Sequence, residues 1–140
     1  MPKLDTYLFF NGNCAEAMKF YEKTLGGKLD MMKEKDAPKT DQGPQGNSDK
    51  ILHARLAFDG GVLMASDWLA PQPFPGMGGF SVSLVYTKID EAKRAFDTLS
   101  KGGKVTMPLE KTFWVESFGM VIDRFGTPWM ISGGKPLMNN

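Results

Sequence analysis

The stretch Phe20-Tyr21-Glu22-Lys23-Thr24-Leu25-Gly26-Gly27-Lys28-Leu29 returns later as Phe96-Asp97-Thr98-Leu99-Ser100-Lys101-Gly102-Gly103-Lys104-Val105. In each copy an aromatic residue sits on a helical face, the helix runs out at a Gly-Gly pair, and a lysine leads into an extended run. Glycine after the last helical turn takes the left-handed conformation that closes a helix. Each copy therefore spells helix, stop, strand. A second echo follows in the same order: Leu63-Met64-Ala65-Ser66 after Gly60-Gly61 resembles Trp129-Met130-Ile131-Ser132 after Gly126. Echoes at both helix ends and both final strands point to one supersecondary unit present twice, against the alternative of two unrelated amphipathic helices that share a glycine stop.

The segments between these anchors complete the unit. Leu4 to Phe10 is aromatic and apolar enough for a strand and ends at the Asn11-Gly12-Asn13 turn. Asn13 is placed to cap a helix, with Glu16 completing a capping box. Cys14, Ala17, Met18, Tyr21 and Leu25 then share one helical face. Lys28 to Lys35 extends as a second strand. Asp36 to Asp49 has no apolar period to bury and is expected to be a mobile surface loop. Ile51 to Phe58 and Val62 to Asp67 flank Asp59-Gly60-Gly61 as a hairpin.

The second copy runs in parallel. Phe80 to Tyr86 alternates like a strand. Thr87 can cap a helix whose face is Ile89, Ala92, Phe96 and Leu99. Lys104 to Met107, Phe113 to Ile122 and Pro128 to Ser132 supply three more strands, the last two joined by an Asp123-Arg124-Phe125-Gly126 turn. The expected fold class is α+β, with two tandem βαβββ modules. At 140 residues the chain suits a single domain over 1–140, divided into module 1 at about 1–68, a linker over 69–78 and module 2 at about 79–135. Pro71, Pro73 and Pro75 with Gly76, Gly78 and Gly79 exclude both helix and central strand from that linker.

Charge and cysteine usage remove several function classes. Seventeen basic residues against sixteen acidic ones give a net charge of +1, without the basic block that tracks a phosphate backbone, so no nucleic-acid partner is expected. No apolar signal core or membrane-spanning run is present, and a cytoplasmic protein with no membrane partner is expected. Cys14 is the only cysteine, which excludes an internal disulfide and a multi-cysteine metal site.

Paired βαβββ modules in a chain of this size resemble the vicinal oxygen chelate superfamily of glyoxalase I, bleomycin-resistance proteins and extradiol dioxygenases. More narrowly, the chain is similar to its PhnB-like branch. The residues carrying that likeness are Phe10-Asn11-Gly12-Asn13-Cys14-Ala15-Glu16-Ala17 leading to Phe20-Tyr21 and Leu25-Gly26, then Thr112-Phe113-Trp114, Phe118-Gly119 and Asp123-Arg124-Phe125-Gly126-Thr127-Pro128-Trp129-Met130-Ile131. They anchor nearly the whole chain, with 36–49 the least matched part.

The resemblance implies a cupped sheet, frequent homodimerisation and, in metal-dependent members, four inward His and Glu ligands from the first and last strand of each module. Here those positions fall on Thr6 (with one residue of slack), Met64, Ser81 and Met130. Thioethers favour softer metals and neutral hydroxyls bind weakly, so neither the usual metal centre nor another cofactor is expected. Some relatives carry a demethylubiquinone methyltransferase label, yet no strand with a glycine-rich turn is present to cradle an adenosyl group, and fold analogy transfers function poorly.

The expected function is small-organic-ligand binding in the cup, by a homodimer. The candidate ligand-binding residues are Tyr7, His53, Arg55, Met64, Ser66, Ser81, Trp114, Glu116 and Met130. The alternative is a lyase-, isomerase- or dioxygenase-like enzyme using non-standard residues, with His53 or Glu116 as general base, or a displaced metal held elsewhere, and with Glu116 and Asp67 as the carboxylates nearest His53. The lone histidine equally suits a strand edge bonded to backbone or water. Trp114 with Glu116 suits a planar or cationic ligand, or else core packing beside an edge charge. Cys14 in the first helical turn could be a low-pKa thiol or simply a small buried residue. The apolar linker from Trp68 to Met77 could be a lid, a clasp on a second subunit, a dock for another protein or packing over the chain's own core.

Overall fold

The computed structural model describes residues 1–37 and 48–138. The chain divides into two compact units, Met1–Gly76 and Met77–Asn140, with the boundary inside the 69–78 linker. In the first unit β1 (Thr6–Phe10), α1 (Cys14–Leu25), β2 (Lys28–Lys33), β3 (Ile51–Phe58) and β4 (Gly61–Asp67) make a βαβββ module. In the second, β5 (Val82–Tyr86), α2 (Ile89–Ser100), β6 (Lys104–Glu110), β7 (Val115–Ile122) and β8 (Pro128–Pro136) repeat it. Each unit is a four-stranded mixed sheet, ordered β1-β4-β3-β2 in one and β5-β8-β7-β6 in the other. The first and last strands of each module run parallel and the remaining pairs antiparallel. The α+β class and the tandem modules expected from the sequence are thus observed.

Strand alternation divides each sheet into a face under the helix and a face without one. Leu8, Phe10, Ala54, Leu56, Leu63 and Ala65 meet Cys14, Ala17, Met18 and Tyr21 of α1, and all are buried. The Phe10 and Tyr21 rings lie 6.3 Å apart in this core. In the second unit Val121, Trp129 and Ile131 are buried with Ala92, Ala95, Phe96 and Leu99 of α2.

Two buried carboxylates fasten chain segments to these cores, one in each unit. Asp67 accepts the Cys14 N–H at 2.9 Å on one oxygen and the Ile51 N–H at 2.7 Å on the other. Asp123 accepts the Phe125 and Thr127 N–H groups on Oδ1 and the Trp129 indole N–H at 2.8 Å on Oδ2. The Asp-Arg-Phe-Gly-Thr-Pro-Trp stretch is therefore a turn wired to the core through its aspartate.

Several expectations need correction. Asn13 occupies the N-cap position of α1 but makes no side-chain cap bond; Asp67, brought in by β4, caps the Cys14 amide instead. The second helix starts after Lys88, again without a side-chain cap, so Thr87 is one residue too early. Ile89 is 44 % exposed and Ala95 takes its place in the buried face. β2 stops at Lys33, where a 3₁₀ turn over Glu34–Asp36 begins; of the loop expected over 36–49, residues 38–47 lie outside the described residues. β6 runs on past Met107 to Glu110 through Pro108. It is an edge strand with register breaks at that point, where a missing N–H is tolerated.

Candidate binding face

The helix-free face of the first sheet gathers most of the residues singled out from the sequence. Tyr7 stands opposite Met64, and Phe9 opposite Ser66, across the parallel β1/β4 pair. Arg55 stands opposite Met64 on one side and Asp30 on the other, and Met32 opposite His53. Tyr7, His53, Arg55, Met64 and Ser66 therefore share one surface. The Tyr7 hydroxyl lies 3.1 Å from His53 Nδ1, and the two rings are 5.8 Å apart.

From His53 an aromatic row continues across this surface. Tyr7 and Phe9 lie 5.2 Å apart, Phe9 and Trp68 meet edge-on at 5.5 Å, and Trp68 meets Phe74 at 6.1 Å. The Trp68 indole N–H donates to the Gln72 carbonyl at 2.7 Å, which folds the start of the linker back onto the sheet. Tyr7 and Phe9 nevertheless stay 39 % and 43 % exposed.

Asp67 is not a partner for His53. Its side chain is buried and committed to two backbone amides; alternation puts it under the helix with Ala65 and Leu63. Cys14 is fully buried. Burial, followed by the nearby Asp67 charge, pushes its thiol from 9.0 up to about 12, so the helix N-terminus does not make it a reactive thiolate.

In the second unit Ser83 stands opposite Met130, and Met130 opposite Met120. Ser81 precedes the strand. Trp114 also lies outside its strand, edge-on to Phe113 at 4.8 Å and to Phe118 at 5.3 Å. Glu116 sits at the bulge between Val115 and Ser117, where Oε1 accepts the Lys135 N–H at 2.6 Å. One of its oxygens is thus taken up by the end of β8.

The register also refines the ligand pattern. Thr6 pairs with Leu63 and belongs to the helix side, so the helix-free position level with Met64 is Tyr7, one residue on. Its counterpart beside Met130 is Ser83. A phenol, a hydroxyl and two thioethers do not fit a hard or borderline divalent ion, and among the described residues no three His, Cys, Asp or Glu side chains group to hold one. Phe9, Trp68 and Phe74 joined the face without being singled out as lining. The Tyr7/Phe9 alternation was the available signal for the first, while the linker's fold back onto β1 left none beyond its apolar composition.

A mixed four-stranded sheet with one covering helix, made twice, defines the class of protein. The chain belongs to the Glyoxalase/Bleomycin resistance protein/Dioxygenase superfamily, whose family model matches residues 3–131. Protein YjdN of Escherichia coli strain K12 is 36 % identical over 94 % of this chain and 95 % of its own length. The crystal structure of protein PA1353 from Pseudomonas aeruginosa is 44 % identical with a TM-score of 0.88, covering 96 % of this chain and 98 % of that one. A PhnB protein from Bacillus cereus, provisionally called a 3-demethylubiquinone-9 3-methyltransferase, shares the fold at 24 % identity and a TM-score of 0.73, over 95 % of this chain and 100 % of its own.

Proposed function

We propose that this protein binds a small organic molecule on the helix-free face of its first module, without the four-ligand divalent centre. The observation that carries this reading is the aromatic row from His53 through Tyr7 and Phe9 to Trp68, contiguous yet left partly open to solvent. Apolar faces with a few convergent polar groups are the usual form of a ligand site. The methyltransferase name of the Bacillus neighbour does not transfer, since likeness at that identity supports the fold alone. A thermal-shift screen of aromatic and aliphatic small molecules tests the proposal. Stabilisation by aromatic compounds that is lost in Tyr7→Ala and Trp68→Ala supports it, and a screen in which nothing stabilises the protein overturns it.

A second reading, an enzyme with His53 as general base, is favoured by one contact: the Tyr7 hydroxyl lies on Nδ1 at 3.1 Å and orients the ring. Elemental analysis of untagged protein separates the variants. A metal at one equivalent per chain would replace the metal-free reading with a displaced-metal one.

A further inference from the structure

The polar groups on the helix-free face of the first sheet are mostly donors, and they adjoin the aromatic row. Arg55 lies on an inner strand with Met64 and Asp30 as its cross-strand neighbours, and among the described residues its guanidinium enters no ion pair. His53 is two residues away on the same strand and the same face. Its Nδ1 lies 3.1 Å from the Tyr7 hydroxyl, and in the tautomer in which the phenol donates to Nδ1 the Nε2 carries the proton and is a second donor. Lys28, opposite Ala57 on this face, adds a further cation. Against these stands Asp30. Asp5, on the approach to β1, is already paired with Lys3 at 3.7 Å. The face therefore carries a small cationic excess at the end where the aromatic row begins.

We propose that the preferred ligand is a planar aromatic molecule bearing one anionic group such as a carboxylate. Its ring lies against Tyr7, Phe9 and Trp68, and its anionic oxygens take N–H donors from Arg55 and His53. A guanidinium presents a planar fork that matches a carboxylate, and ring faces accept a planar π-system offset or edge-on. Tyr7 joins the two ends, touching His53 on one side and Phe9 on the other. This inference rests on the small-molecule reading above and narrows it to a charge and a shape.

Calorimetric titration with 2-naphthoate, 2-naphthamide and 2-naphthylmethylammonium tests the inference, using the full chain and its Arg55→Gln and Arg55→Lys variants. The carboxylate is expected to bind about tenfold tighter than the amide, the scale of one charge-assisted hydrogen-bond pair. Arg55→Gln is expected to erase that preference, with circular dichroism checking that the fold is kept, and Arg55→Lys to keep part of it. Equal binding of carboxylate and amide, tightest binding of the ammonium, or a carboxylate preference that survives Arg55→Gln overturns the anionic assignment and leaves the small-molecule reading standing. Failure of all three probes to bind overturns both.

Discussion

Asp67 and Cys14 exchange roles relative to what their residue types suggest. The carboxylate is structural and the thiol inert. Replacing Asp67 by Ala strands the Cys14 and Ile51 amides in a buried site, and an unsatisfied buried donor costs about 1–3 kcal/mol. Urea unfolding of Asp67→Ala is therefore expected to show a loss of about 3 kcal/mol, with Asp67→Asn losing about half because its amide oxygen retains one acceptor. Cys14 gives a pH signature. Its thiol holds its proton more tightly folded, near 12, than unfolded, near 9.0, so its contribution to stability is complete below pH 9 and is lost as pH rises toward 12. Stability in that window is expected to fall less steeply in Cys14→Ala, and native protein at pH 8 to resist thiol alkylation that proceeds once it is unfolded. The helical spacing that put Cys14 on the apolar face was visible in the sequence. The role of Asp67 was not, since its partners lie 53 and 16 residues away and only the parallel β1/β4 pairing brings the end of β4 to the start of α1.

At the level of elements, the repeated Gly-Gly pair carries more than a helix stop. A Cβ on Gly27 would run into the Ala57 carbonyl at the end of β3, and one on Gly103 into the Ile122 carbonyl at the end of β7. The second glycine of each pair thus lets the chain leaving the helix pass against the module's third strand. Gly27 also has φ +90°, which an alanine resists by about 1–2 kcal/mol, whereas Gly103 is outside the left-handed region. Gly27→Ala is expected to destabilise by about 3 kcal/mol and Gly103→Ala by about 2, the range of overpacking and backbone strain. Gly76 in the linker, at φ +79° with nothing near its Cβ position, isolates the backbone cost: Gly76→Ala is expected to lose about 1 kcal/mol in the same urea assay. The sequence announced these pairs through their repetition. It could not announce the third-strand contact, because that depends on β3 and β7 returning beside the helix exit. Edge strand β6 escaped in part for a related reason, Pro108 reading as an end when an edge position tolerates it.

For the whole molecule, duplication left the deepest mark on the sequence, because glycine stops and strand alternation are local signals that recur at matching places. Which residues a sheet shows to solvent depended on register, and a shift of one position changes the face: Thr6 gave way to Tyr7, one residue on, when β1 was seen beside β4, while Ser83 replaced Ser81, two residues earlier and outside the strand, beside Met130. Two apolar side chains of the second unit stand well out in solvent. Val85, on edge strand β5, is 78 % exposed, and Phe113 is 74 % exposed. Exposed β-branched residues on an unpaired edge invite a partner strand or surface, and the self-complementary solution available to any chain is a second copy about a two-fold axis. Light scattering coupled to gel filtration is accordingly expected to report twice the chain's mass at micromolar concentration. Val85→Lys is expected to shift the population to single chains while circular dichroism stays unchanged, since the residue contributes little to its own module's core. A wild-type protein that elutes as single chains at every concentration would leave those apolar side chains for some other partner, and an unaltered dimer in Val85→Lys would move the interface away from β5.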